Sequence, residues 1–260
     1  IRDRAYQGWW QEPPYVGLRP FDVSDSRIFL GRRDDSRALI ERLRRREQGT
    51  RPGALILAES GAGKSSFARA GVLAQLRRGL DARVLQYAVW QPRDVLPRDD
   101  LQIADVARSL FAALVGPDPR LPNRGFLRLD PHARISGFDD LLGQLAPLPD
   151  GRAGPPELRV LLVDQFEELF GLPAYQPAHR LAVARFLRQS QRCGIWVLAT
   201  LRRDAYASMA ALRDDAGHAL LLDVFRRHDD IEGEFALGPV DRAALLDLIT
   251  GPAALARLEF

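Results

Sequence analysis

The apolar residues of this 260-residue chain fall into two rhythms. Short continuous runs stand at positions 54–58 (ALILA), 82–90 (ARVLQYAVW), 158–163 (LRVLLV) and 195–200 (IWVLAT), with a fifth candidate at 234–237 (EFAL). Runs of this length, dominated by aliphatic residues, are those of strands buried on both faces. Between them the apolar positions recur at helical spacing. Leu39, Ile40 and Leu43 mark a helix over 34–48 that stops at Gly49, and Phe67, Val72, Leu73 and Leu76 line one face of a second that runs to about Gly79. Further helices are expected over 101–114, around 138–145 and over 177–192. Strands alternating with helices predict an α/β fold, a doubly wound, mainly parallel sheet with flanking helices.

The breaks in this pattern set the organisation. Residues 1–12 carry Tyr6, Trp9 and Trp10, followed by the proline-bounded extended stretch PPYVGLRPF. These aromatics pack either on this core or on a neighbouring domain. Residues 116–137 are rich in proline and arginine without periodicity, which predicts a surface excursion, and PDGRAGPPE at 149–157 is a turn-rich connector. With 46% hydrophobic and 27% charged residues the composition is that of a soluble globular protein. A net charge of +3 is small for this length, so bulk charge gives no reason to expect nucleic acid as a partner. Arg42, Arg44, Arg45 and Arg46, interrupted by Leu43 and flanked by Glu41 and Glu47, read as a solvated helix face. The single cysteine, Cys193, has no partner for an intrachain disulfide and reads as a buried, inert thiol in a reducing compartment. His132, His179, His218 and His228 lack metal-ligand spacing. No apolar stretch approaches the roughly 18 residues of a membrane span and no signal-peptide pattern opens the chain, so a cytoplasmic location is expected. The chain opens at Ile1 and closes on what resembles an interrupted helix, and a piece of a longer protein is expected.

Thirty-six of the 37 basic residues are arginine, and the one lysine, Lys64, lies in AESGAGKSS directly after the first apolar run. A compact ammonium on a flexible stem reaches β- and γ-phosphates without crowding a loop backbone, which a guanidinium does not. Residues 58–65 have Walker A spacing, with Ala58 at the first small position and Gly61 and Gly63 freeing backbone N–H groups for phosphate. Ser60, Gly61, Ala62, Gly63, Lys64, Ser65 and Ser66 are therefore the expected phosphate-binding residues, the Ser65 hydroxyl being a ligand for Mg²⁺. Asp164, at the end of VLLVD, is the expected second Mg²⁺ ligand, and Glu167 or Glu168 a carboxylate able to orient the attacking water. Arg202, at the end of IWVLATLRRD, is placed to sense a γ-phosphate, with Arg203 its rival. GTP recognition by Asn-Lys-x-Asp is excluded because Lys64 is the only lysine, and the Asp-x-x-Gly turn is missing because Gln165, Phe166 and Glu167 follow Asp164. ATP or ADP is the expected nucleotide.

Four ordered segments, PYVGLRPFDVSDSRIFLGRRDD, the Walker A with SFARAGVLAQLRRG, LLVDQFEELF and VLATLRRDAYASM, resemble the bacterial novel STAND NTPases, relatives of the NACHT and NB-ARC proteins. The likeness runs from about Tyr15 to Leu258. It implies a P-loop NTPase core of STAND/AAA-like type plus the start of a helical lid. Phe29, Leu30, Gly31 and Arg32 then map onto the element that faces adenine and ribose. Arg33 stands where the family often has glutamate, and Ala58 where it has the first Walker glycine. The implied layout is an N-terminal arm over 1–20, the NTPase core over 21–237 and a truncated lid over 238–260, with Pro239 in the turn before the first lid helix. Family members couple ATP binding and exchange to release of an effector, with sensing by C-terminal repeats, so effector and sensor domains and nucleotide-dependent self-association are the implied partners. Other readings share the binding motifs. A scaffold holding nucleotide with negligible turnover is one, and a DNA-remodelling P-loop ATPase is another; for a small-molecule kinase no acceptor-binding signature stands out.

Overall fold

The computed structural model of the chain describes residues 15–47, 53–79, 84–95, 100–116, 126, 129–145, 157–226, 233–240 and 242–255. Tyr6, Trp9, Trp10, His228 and most of the connector over 149–157 lie outside the described residues. Five strands form one sheet: β1 (Gly53–Ala58), β2 (Val84–Trp90), β3 (Glu157–Val163), β4 (Ile195–Arg202) and β5 (Glu234–Ala236), in the order β2-β3-β4-β1-β5. Every pairing is parallel, so the expected sheet is wholly, not mainly, parallel. Parallel neighbours need crossovers, and the helices that make them cover both faces.

Five helices matter for the site: α1 (Arg33–Glu47), α2, α3 (Ile103–Val115), α4 (Pro177–Arg192) and α5 (Arg242–Leu255). Helix α2 follows the P-loop in three consecutive pieces, Lys64–Ser66, Phe67–Leu73 and Ala74–Gly79, of which the middle one is π-helical. Its widened turn shows in the Ala74 N–H, which reaches back five residues to the carbonyl of Arg69. Side chains alternate across the sheet as the pleat demands. Leu55, Leu57, Trp90, Val163, Val197 and Leu201 pack with α3 and α4 on one face, while Ile56, Leu85, Val160, Leu162 and Trp196 pack with α1 and α2 on the other. Phe67, Val72, Leu73 and Leu76, read as one helix face, are all buried.

Three sequence expectations shift. Strand β4 runs to Arg202, two residues beyond the apolar run, because Leu201 and Arg202 still pair with Leu57 and Ala58 of β1. The stretch 116–137 is not purely a surface excursion: of its described residues, Phe126, Leu129 and Ile135 are buried in the α3 side of the core. Isolated apolar residues among prolines carry no period, yet each fills a gap. The basic run of α1 is not only a solvated face. Arg42 and Arg46, one turn apart, donate to the carbonyls of Glu234 and Phe225, and Arg42 also lies 5.2 Å from the Phe235 ring centre. Cys193 caps α4 in a half-buried position, where burial pushes its thiol up. No helix among the described residues is long and apolar enough to cross a membrane.

Candidate functional site

The strand order places three loop ends side by side. β4 is central, with β1 on one side and β3 on the other, so the carboxyl ends of all three open at one edge. A cavity of about 770 Å³ lies there, lined by Gly61, Gly63, Lys64 and Ser65 from the P-loop, Glu167 from beyond β3 and Arg202 from β4.

The P-loop needs glycine for conformational reasons. Gly61 and Gly63 have φ of 77° and 81°, the left-handed region costly for other residues. The turn is closed by Ala62 N–H donating to the Glu59 carbonyl, and the following helix by Phe67 N–H donating to that of Gly63. Lys64 is buried, and its Nζ donates to the carbonyl of Glu59 at 3.0 Å. Burial pulls its ammonium below the usual lysine range; Arg202 adds to that, while Glu167, Asp164 and Asp204 act against it.

Behind Ser65 stands Asp164, fully enclosed, so it does not itself line the cavity. Its Oδ1 accepts from Ser65 Oγ at 2.8 Å, Thr200 Oγ1 at 2.7 Å and the Gln165 N–H at 3.1 Å. Its Oδ2 accepts from Arg69 Nη2 at 2.7 Å and Gln91 Nε2 at 3.1 Å. Gln165 is the only described non-glycine residue with positive φ, at 56°, and its N–H also donates to Thr200 Oγ1 at 2.8 Å. That left-handed turn costs on the order of 1 kcal/mol and aims the N–H at both oxygens.

The two glutamates separate. Glu168, 9% exposed, is taken up by Arg93, receiving its backbone N–H at 3.2 Å and its guanidinium. Glu167 accepts the Arg202 N–H at 3.2 Å, which turns it toward the P-loop side of the cavity. The Arg202 side chain is paired with Asp204 through Nε at 3.0 Å and through Nη2, while Arg203 lies 3.5 Å from the Glu59 carboxylate.

Of the other expected residues, Ser60 and Ser66 line the cavity, and Ser66 Oγ also accepts the Phe21 N–H at 3.1 Å, next to Leu18, Arg19 and Pro20 on the cavity wall. Ala62 turns from the cavity to the core beside α2. None of Phe29, Leu30, Gly31 and Arg32 lines the cavity. Phe29 packs on Phe21 with ring centres 5.6 Å apart, Gly31 (φ 76°) closely approaches the Ala244 carbonyl, and Arg32 donates to Gly238 at 2.8 Å and pairs with Asp35. The element seats α5 on the core. Sequence reasoning missed Arg69, Gln91 and Asp204, and quoted Thr200 only as a strand end. Two signals were readable: Thr200 is the polar residue within an apolar strand, and Arg69 lies four residues after Ser65, on the same helix face. Gln91 and Asp204 have no such signal.

Two solved structures share this fold. The Aeropyrum pernix ORC1 protein in complex with DNA matches with a TM-score of 0.55 at 16% identity, over 88% of this chain and 50% of that one. The Aeropyrum pernix ORC2 protein, in ADPNP-ADP complexes, matches with a TM-score of 0.55 at 12% identity, over 98% of this chain and 56% of that one. The chain thus spans about half the length of these proteins. No curated protein matches its sequence. The model of the Novel STAND NTPase 1 family matches residues 14–260, nearly the whole chain, and the protein belongs to that family of P-loop NTPases.

Proposed function

We propose that this chain is the ATP-binding and ATP-hydrolysing switch module of a larger, cytoplasmic STAND-type signalling protein. The observation that carries the reading is the convergence on Asp164: Ser65 and Thr200 both donate to it, so P-loop, β3 and β4 meet at one carboxylate beside the cavity holding Lys64. The phosphates lie on the N–H groups of Gly61 to Ser65, and Lys64 leaves the Glu59 carbonyl for the β- and γ-phosphates. Ser65 Oγ and the Asp164 carboxylate behind it, 2.8 Å apart, are a hard-oxygen pair suited to Mg²⁺. Bound there, Mg²⁺ supplies charge neutralisation at the phosphates. Glu167, free of the ion pair that occupies Glu168, orients the attacking water, and Arg202 exchanges Asp204 for the γ-phosphate. Phe29 to Arg32 act on the base side through α5, the first helix of the lid. Effector and sensor domains and nucleotide-driven self-association belong to the longer protein.

The test is calorimetric titration with ATP and ADP plus phosphate release. Binding of both nucleotides, lost in Lys64→Ala, supports the reading, and wild-type binding in that variant refutes it. A second reading, a DNA-dependent P-loop ATPase, draws on the DNA-bound ORC1 relative, and the small net charge of +3 is no argument against it. Severalfold stimulation of turnover by duplex DNA would favour it over the signalling switch.

A further inference from the structure

Asp164 carries more positive partnership than a Mg²⁺ ligand requires. Its Oδ1 is occupied by neutral donors, the hydroxyls of Ser65 and Thr200 and one backbone N–H. Its Oδ2 faces a full positive charge, the Arg69 guanidinium at 2.7 Å, with the Gln91 amide beside it at 3.1 Å. Both members are withdrawn from solvent, at 13% exposure for Arg69 and 0% for Asp164. Its Nε is buried with no hydrogen-bond partner among the described residues, which leaves the Asp164 contact as the use of its charge seen there. A guanidinium buried with one N–H unmet costs stability unless its charge is used. Arg69 lies on α2 four residues beyond Ser65, so both side chains leave the same helix face and meet the same carboxylate.

The consequence is electrostatic. A nucleotide brings several negative charges to Ser65 and the P-loop, within a few ångströms of the buried Asp164 carboxylate. With no metal bound, that carboxylate opposes the phosphates through a medium that screens poorly. Arg69 cancels the opposition. We propose that Arg69 is a positioning residue that serves as an internal counter-cation to Asp164, taking over part of the charge role of Mg²⁺ and setting how strongly nucleotide binding depends on metal. The inference rests on the P-loop reading above. It adds that this site retains adenine nucleotide when Mg²⁺ is scarce.

The test is the ratio of ADP affinities measured by calorimetry in Mg²⁺ and in EDTA, for the full chain as wild type, Arg69→Gln, Arg69→Lys and the double variant Arg69→Gln with Asp164→Asn. In Arg69→Gln the EDTA affinity falls and the ratio rises roughly tenfold, the effect of one charge lost from a partly buried site. Arg69→Lys keeps the ratio within about threefold of wild type, since the charge is retained while the fork geometry is lost. The double variant has neither the arginine nor the opposing carboxylate, so its EDTA affinity stays at or above that of wild type; this arm decides the matter if Arg69→Gln alone does not fold. An Arg69→Gln ratio equal to or below that of wild type overturns the proposal, as does a double variant that binds ADP in EDTA more weakly than wild type. A wild-type chain that binds no ADP even in Mg²⁺ overturns the P-loop reading itself.

Discussion

A fully enclosed carboxylate is tolerable only when its lone pairs are met, and Asp164 meets five donors. Thr200 is the donor that competes least with chemistry, because it stands behind the site on β4. Thr200→Val should therefore destabilise the fold by about 1–3 kcal/mol, the range for a buried acceptor deprived of a partner, as measured by urea unfolding. The glutamates offer a cleaner division. Glu167→Gln should leave ADP affinity within about twofold and slow phosphate release by roughly a hundredfold, the usual scale for a lost general base. Glu168→Gln should instead lower stability by about 1 kcal/mol, discounted because Arg93 is 59% exposed, with turnover changed far less. Equal effects of the two on turnover would cancel the assignment of Glu167. Lys64→Arg should reduce ATP binding by more than roughly tenfold although charge is conserved, because a planar guanidinium does not present the compact point charge that an ammonium brings to the phosphates.

Helix α2 is the element that carries the P-loop serine, Arg69 and the buried face toward β1 at once. Its π-helical middle holds Gly71 against α1, where an added Cβ would stand 2.6 Å from Ser36 Oγ and 3.2 Å from Phe29. Gly71→Ala should thus cost about 1–3 kcal/mol by overpacking, despite alanine's better helix propensity, and chemical denaturation will give the sign. A stabilised variant would mean that α1 moves freely against α2. The elements themselves were largely legible, since continuous apolar runs and helical spacing follow from burial on both sheet faces. Their ends were less so. β4 gains Leu201 and Arg202 through pairing with β1, and α2 becomes π-helical through packing; neither leaves a mark in local periodicity.

At the scale of the molecule both core layers share one sheet, so binding at its carboxyl edge should stabilise the whole. ATP at about 100 times its dissociation constant should raise the unfolding free energy by about 2.7 kcal/mol, read as one cooperative thermal transition that moves upward with nucleotide. A chain whose transition ignores ATP while calorimetry reports binding would show that the P-loop edge unfolds separately from the core. What the sequence by itself determined is the P-loop family and the class of fold: the lone lysine in a glycine loop, the aspartate closing a buried strand, and the alternation of apolar runs with helices. These are local properties, legible because phosphate contact and two-sided burial each restrict the residue types at a few neighbouring positions. Only the tertiary structure decided which glutamate is taken up by an ion pair with Arg93, that Gly31 and Arg32 pack against α5 and the turn before it, and that Arg69 and Gln91 share Asp164. Those choices depend on the strand order β2-β3-β4-β1-β5, which brings together residues up to about a hundred and forty positions apart, from Lys64 to Arg202, and no local pattern records a contact made across that distance.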